Sequence, residues 1–132
     1  GVQEYFSSTY GCETVFIPNG VTRPTIIPAD EIQKRWGLEK DSYVLFLGRI
    51  VPEKGLSYLV KAWRSVATDK KLVIAGGSSD TQEFMDELKS MSAGDESVIF
   101  TGFQQGRVLE ELYSNCYILN LLCLLRLLKI FL

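Results

Sequence analysis

The sequence contains no histidine, and this absence removes two common kinds of functional site. Histidine is the most frequent general base and a standard nitrogen ligand of zinc. The three cysteines, Cys12, Cys116 and Cys123, have neither C-x-x-C spacing nor an even number. A zinc site and a disulfide framework are therefore not expected, and the cysteine usage favours a reducing compartment.

The sequence also lacks an excess of either charge. Its 14 basic and 16 acidic residues give a net charge of −2, which argues against nucleic-acid binding.

The amino terminus lacks the charged-then-apolar pattern of a signal peptide. No G-x-G-x-x-G motif follows an apolar run, which argues against a dinucleotide-dependent oxidoreductase. At 132 residues, one domain is expected.

The central feature of the sequence is Y-V-L-F-L-G-R-I-V-P-E-K-G, at residues 43–55. The apolar run at residues 44–47 is typical of a strand buried on both faces of a parallel sheet. Gly48 ends the run, and Arg49 and Lys54 place two cations in the loop that follows. Apolar residues at helical spacing then predict a helix over residues 56–66 that packs against the sheet. Open α/β sheets bind their ligands at the carboxyl ends of the strands, where this cationic loop is expected.

Strand and helix patterns alternate along the rest of the chain. Further strands are predicted at residues 14–17, 72–75, 98–101 and 117–119, and further helices at residues 4–10, 30–36, 84–91 and 108–113. Asp30 is the predicted cap of the second of these helices, and a capping-box pattern begins at Asp80. Trp63 and Tyr113 are expected in the core, and Cys116 as a small buried residue. The alternation predicts an α/β fold, a Rossmann-like doubly wound parallel sheet of at least four strands.

The last segment, residues 119–132, departs from this pattern with eight leucines and only two cations, Arg126 and Lys129. A membrane-spanning helix needs about 20 apolar residues, so this segment is too short. A buried or interface helix, a membrane-surface helix and a change in the encoded reading all stay open. The first predicts self-association or packing, and the second a peripheral membrane contact.

Five motifs occur in an order and spacing that resemble one family. They are I-P-N-G-V at residues 17–21, G-R-I-V-P-E-K-G at 48–55, L-V-I-A-G at 72–76, F-T-G-F at 100–103 and L-Y-S-N-C at 112–116. Together they resemble the carboxyl-terminal, donor-binding domain of family-4 (group 1) retaining glycosyltransferases of GT-B architecture. The resemblance covers about residues 3–118. It implies an incomplete nucleotide-sugar-binding domain at residues 1–118, half of a GT-B fold, followed by the divergent residues 119–132.

The resemblance also implies roles for individual residues. Arg49 and Lys54 would bind the donor diphosphate and stabilise it as a leaving group, and Gly48 would let the backbone approach the ligand. Phe103 and Gln104 would lie at the nucleotide base. No metal is expected, because members of the family commonly need none, and the nucleotide-sugar donor would be a substrate and not a cofactor.

Each of these roles has a rival interpretation. The two cations could be solvated loop charges, or ion-pair partners of Glu53. Phe103 could pack in the core or at its rim. Gly76 and Gly77 fit a plain turn as well as an approach to ligand.

One departure from the family pattern limits the expected activity. The family continues with an acidic E-x7-E element, and residues 119–132 contain no carboxylate. An amino-terminal acceptor domain is also missing. The resemblance therefore implies a hexosyltransferase-type parent enzyme that acts with retention, and an isolated chain that is inactive. The alternative is a non-catalytic α/β domain that associates with a partner through its leucine-rich segment. The expected location is the cytoplasm, or the membrane periphery for the full-length enzyme.

Overall fold

The computed structural model describes residues 1–18, 20, 25–77 and 82–120. These residues form five α-helices, one 3₁₀ turn and four β-strands. In chain order they are α1 (Val2–Tyr10), α2 (Glu31–Trp36), β1 (Tyr43–Leu47), the 3₁₀ turn (Pro52–Lys54), α3 (Leu56–Trp63), β2 (Lys71–Ala75), α4 (Gln82–Met91), β3 (Val98–Gly102), α5 (Gly106–Asn115) and β4 (Ile118–Asn120).

The four strands form one parallel sheet in the order β3-β2-β1-β4. Leu45 of β1 is in register with Val73 of β2 on one side and with Leu119 of β4 on the other. The predicted parallel sheet, with the apolar run of residues 44–47 in its interior, is confirmed. The order of the strands reverses between β1 and β4, so the chain switches direction across the sheet at β1.

Helices cover both faces of the sheet, which explains why the strands are apolar without alternation. Phe46 and Ile74 belong to a core that α3 and α4 complete with Leu56, Val60, Trp63, Met85 and Leu88. Leu45 and Val73 face the opposite core, which includes Ile32 of α2 and Leu112 of α5. The predicted doubly wound, Rossmann-like α/β fold is therefore confirmed.

The strand predicted at residues 14–17 is wrong, because the structure assigns no strand there. Val15, Phe16 and Ile17 have exposed fractions of 85%, 74% and 83%. High β-propensity describes side chains that fit a pleated, half-buried surface. Within the described residues no neighbouring strand or helix supplies that surface for this segment.

Two other predictions extended the core too far. The helix predicted over residues 56–66 ends at Trp63, and Val66 is 51% exposed. Tyr113 is 46% exposed, because the buried side of α5 is formed by its neighbours Glu111 and Leu112. Trp63 is buried as predicted and donates from Nε1 to the hydroxyl of Ser97 at 3.0 Å.

Cys116 is only half-buried, and partial burial raises the pKa of its thiol.

Helix α1 ends at Gly11 as predicted, with Gly11 in the left-handed conformation at φ 63°, but α1 has no buried residue. The capping-box residues Asp80 and Thr81, Asn19 of the I-P-N-G-V motif and the leucine-rich residues 121–132 lie outside the described residues. In the described part of the chain, no helix combines the length and apolar character needed to cross a membrane.

Candidate functional site

Three glycines lie where three neighbouring strands end, and the backbone stays paired through them. Gly48 follows β1 and donates from its amide to Ala75 O at 3.1 Å. Gly76 follows β2 and donates to the carbonyl of Gly102, the last residue of β3, at 3.0 Å. One step further, the amide of Ile50 donates to Gly77 O at 3.1 Å. The loops after β1 and β2 are therefore held together beyond the ends of the strands.

Close backbone approach explains why Gly76 is glycine. A Cβ atom added there would overlap the carbonyl oxygen of Gly48 and come within 3.4 Å of Ile50 Cγ1. A Cβ atom on Gly77 would instead meet Phe103 Cβ at 3.6 Å, an ordinary contact distance. The close contact with Gly48 therefore requires glycine at position 76, where the residue also lines the cavity described next.

An open cavity of about 540 Å³ lies at this carboxyl edge of the sheet. Its lining includes Gly48, Arg49, Gly77, Phe103, Gln104 and Leu109. The cavity thus combines the loops after β1, β2 and β3 with one side chain of α5. Ligands of open α/β sheets bind outside the carboxyl ends of the strands, near the point where the strand order reverses.

The cavity brings together four of the five residues predicted for the site: Gly48, Arg49, Phe103 and Gln104. Lys54 is not among the described residues that line it. That lysine ends the 3₁₀ turn and is half-buried, five positions beyond Arg49. Within the described part of the chain, neither cation has an ion-pair partner, so pairing with Glu53 is not observed.

Two side chains after β3 define the far wall of the cavity. Phe103 is 72% exposed, which excludes its packing in the core. The side-chain amide of Gln104 donates to Thr101 O at 2.6 Å and so ties the loop to the end of β3. The cavity therefore presents an exposed guanidinium, an exposed aromatic ring and a glycine-rich floor. Such a set can bind an anionic group joined to a planar ring.

Sequence reasoning missed the fully buried Glu111 of α5. Its Oε2 accepts hydrogen bonds from the amides of Asp30 and Ile32 at 3.0 and 3.2 Å. Its Oε1 pairs with Arg107 Nε at 3.0 Å. Burial raises the pKa of this carboxyl, but these hydrogen bonds outweigh burial and hold the pKa below its ordinary value.

The prediction that the Asp30 side chain caps α2 is wrong, because Glu111 takes this role. The side chain of Asp30 makes no capping hydrogen bond and instead pairs with Lys34 at 2.8 Å. The first amides of α2 are capped by a carboxylate about 80 positions later in the chain. The only sequence signal was the four-residue spacing of Arg107 and Glu111, which is equally typical of an exposed helical ion pair.

Potential metal ligands are scattered in the part of the chain that the structure describes. Nowhere in that part do three carboxylate or thiol side chains lie close enough together to hold a metal ion.

Comparison with known proteins gave two findings. A family model described as "Glycosyl transferases group 1" matches residues 28–125, a range that includes the whole lining of the cavity named above. The chain is also 33% identical over 79 residues to an uncharacterized glycosyltransferase of Methanocaldococcus jannaschii. That match covers 58% of this chain and 20% of the relative. The chain therefore spans about a fifth of the relative's length.

Proposed function

The chain belongs to the group 1 glycosyl transferases, and we propose that its cavity at the carboxyl edge of the sheet binds the nucleotide diphosphate of a sugar donor. The observation that carries this proposal is the placement of Arg49 and the exposed ring of Phe103 on the wall of one cavity. A nucleoside diphosphate has the matching chemistry, since it joins two anionic phosphates to a planar base.

Arg49 supplies the phosphate contact in this proposal. Its planar guanidinium can donate two parallel hydrogen bonds to phosphate oxygens, and no ion pair within the described residues competes for it. Lys54 would act as a second, compact charge on the same diphosphate. Because Lys54 does not line the cavity, its contribution should be smaller than that of Arg49.

Phe103 and Gln104 would receive the base. Aromatic side chains stack on the faces of bases, and such contacts contribute about 1–3 kcal/mol each. The hydrogen bond from Gln104 to Thr101 keeps the loop in place beside the ring. Gly48 and Gly77 leave the floor of the cavity free of side chains, so the phosphates can approach the backbone.

Catalysis would depend on charge development at the diphosphate. When the bond between the sugar and the diphosphate breaks, negative charge grows on the leaving phosphate and positive charge on the sugar. Arg49 would therefore stabilise the transition state more than the bound donor. We propose that the longer protein transfers a hexosyl group with retention and without a metal ion. We propose further that this chain alone binds the donor but does not transfer sugar, because transfer also needs a positioned acceptor.

We place the protein in the cytoplasm, or at the membrane periphery in its full-length form. The support is chemical: Cys12 and Cys116 are both free thiols, which fits a reducing compartment. Labelling of free thiols in fractionated cells would test the location, and a protein recovered with oxidised cysteines would contradict it.

Titration calorimetry with UDP, GDP and ADP tests the binding proposal. We expect at least one nucleotide to bind with a Kd of about 1 mM or tighter, since each hydrogen bond to a charged group contributes about 1.5–3 kcal/mol. Arg49→Ala should abolish detectable binding, and Lys54→Ala should weaken it less.

The matched control is Arg64→Ala, which removes an exposed arginine outside the cavity. Arg64→Ala should keep the wild-type Kd. Absence of binding for all three nucleotides, or equal binding by Arg49→Ala and the wild type, would contradict the proposal. Such a result would favour a non-catalytic α/β domain that binds a partner through its leucine-rich segment.

A further inference from the structure

Helix α5 links the proposed donor cavity to the opposite side of the domain. The helix begins at Gly106, just after the cavity residues Phe103 and Gln104, and its own Leu109 lines the cavity. The position of α5 on the sheet therefore sets the position of one cavity wall. Two residues beyond Leu109, the helix carries the buried carboxylate of Glu111.

Glu111 uses both of its oxygens, and each oxygen contacts a different part of the fold. Oε2 accepts from the amides of Asp30 and Ile32 at the start of α2. Oε1 accepts from Arg107 Nε, one turn earlier on α5. The carboxylate thus joins the first turn of α2 to the part of α5 nearest the cavity.

Neutral hydrogen bonds support the same helix further from the cavity. Asn115 Nδ2 donates to Ile27 O at 3.0 Å, and Tyr43 Oη donates to Leu112 O at 2.8 Å. Glu111 is the charged contact of this group and lies closest to Leu109 along the helix. Removing its carboxylate would leave two amides of α2 without their acceptor in a buried setting.

We propose that Glu111 is a positioning residue for the cavity: its carboxylate fixes α5 on the first turn of α2 and thereby fixes Leu109 and the loop carrying Phe103. Glu111 does not line the cavity, so it acts through the placement of these two residues. The affinity measurement below rests on the proposed function. The measurement of backbone exchange does not.

Three variants separate the two halves of the contact. Glu111→Ala removes all the hydrogen bonds that the carboxylate accepts from Asp30, Ile32 and Arg107. Glu111→Gln keeps an acceptor for the two α2 amides but turns an NH₂ group toward Arg107. Arg107→Ala removes the second contact alone. The expected order of effect is Glu111→Ala, then Glu111→Gln, then Arg107→Ala.

The control is Leu88→Ala, which truncates a fully buried side chain of α4 on the other face of the sheet. This substitution destabilises the fold without touching α5 or the cavity lining. A purely structural role for Glu111 would make the folded Glu111→Ala variant bind nucleotide as well as folded Leu88→Ala does.

Nucleotide affinity is measured at a temperature where circular dichroism shows each variant folded, with whichever of UDP, GDP and ADP the wild type binds most tightly. Glu111→Ala should raise the Kd about tenfold, because nucleotide binding would then also have to order the less firmly held Phe103 and Leu109, and Leu88→Ala should leave it unchanged. Loss of a negative charge would by itself favour an anionic ligand, so a rise in Kd cannot be a charge effect.

Amide hydrogen exchange of the ligand-free proteins gives the second readout. Residues 103–109 should exchange faster in Glu111→Ala than in Leu88→Ala at matched stability. Wild-type affinity and wild-type exchange in Glu111→Ala would overturn the proposal, as would equal losses in Leu88→Ala. If Glu111→Ala does not fold, Glu111→Gln and Arg107→Ala decide by the same two measurements. If the wild type binds none of the nucleotides, the proposed function fails while exchange at residues 103–109 still decides the role of Glu111.

Discussion

The carbonyl oxygen of Gly48 occupies the space that a side chain on Gly76 would need. This contact joins the loops after β1 and β2, and both glycines are followed by residues that line the cavity, Arg49 and Gly77. The amides on either side of the contact are paired, Gly48 to Ala75 O and Ile50 to Gly77 O. Backbone contacts therefore hold the loops after β1 and β2 together at the carboxyl ends of the strands. The glycine-rich floor of the cavity depends on these contacts.

Gly76→Ala should destabilise the protein, because the added methyl group meets backbone atoms that cannot move aside independently. Overpacking of this kind costs about 1–3 kcal/mol. Gly77→Ala, one residue later, adds the same methyl group at an ordinary 3.6 Å from Phe103 Cβ and should change stability by less than about 1 kcal/mol. Urea unfolding of both variants compares the two positions. Equal losses would show that the contact between Gly76 and Gly48 is not what requires glycine.

Val60→Ala and Val66→Ala test where α3 stops contributing to the core. Both valines fall on the apolar side of the predicted helix, but Val60 is fully buried and Val66 is 51% exposed beyond the helix end. We expect Val60→Ala to cost about 1.5–3 kcal/mol through lost burial and the cavity it leaves. Val66→Ala should cost less than about 0.5 kcal/mol. Thermal and urea unfolding measure both, and a large loss at Val66 would contradict the observed end of the helix.

The interior strand β1 could be predicted from the sequence because its burial leaves a continuous apolar run. The run at residues 44–47 is apolar at every position since both faces of β1 are covered, and this leaves a readable pattern. The run at residues 14–17 has a similar composition, yet it forms no strand. The difference is the presence of neighbouring strands, which composition does not encode.

The candidate site was predictable in part, because a parallel sheet brings together the loops that follow its strands. Arg49 and Phe103 are far apart in the chain, but each follows a strand of one parallel sheet, so both must lie at the same edge. Lys54 could not be placed in this way, since its position depends on the 3₁₀ turn of which it is the last residue. Glu111 could not be found at all, because its amide partners come from a distant helix.

Tyr43→Phe should destabilise the protein by about 1–2 kcal/mol, the cost of leaving a buried polar group without its partner. The hydroxyl of Tyr43 is buried and donates to Leu112 O in the last turn of α5, where helix carbonyls lack partners in a following turn. Burial also raises the pKa of this phenol far above its ordinary value, so it remains a donor across the usual pH range.

The control for Tyr43 is Tyr113→Phe, the same loss of a hydroxyl at a residue that is 46% exposed on α5. That variant should differ from the wild type by less than about 0.5 kcal/mol. Chemical denaturation at neutral pH compares the pair, and equal stabilities of all three proteins would show that the bond to Leu112 contributes nothing.

The carboxylate of Glu111 should contribute to the sensitivity of the folded protein to acid. The pKa of the folded carboxyl lies below its ordinary value of 4.5, because the hydrogen bonds from Asp30, Arg107 and Ile32 outweigh the effect of burial. The folded state therefore binds a proton on Glu111 less readily than the unfolded state does. The stabilisation by the ionised carboxylate is fully present above pH 4.5 and is lost as the pH falls through the lower, folded pKa.

Glu111→Gln removes this titration while keeping a side chain of similar shape. The wild type should lose this stabilisation as the pH is lowered below 4.5, and Glu111→Gln should start less stable at neutral pH and decline less steeply below 4.5. Asp95, whose pKa is also lowered by hydrogen bonds from Ser97, titrates in both proteins and cancels in the comparison. Urea unfolding across the acid range gives the two curves, and their difference isolates Glu111. Parallel curves would mean that the carboxylate at the start of α2 contributes no proton-linked stability, and the hydrogen bonds to Asp30 and Ile32 would then not depend on its charge.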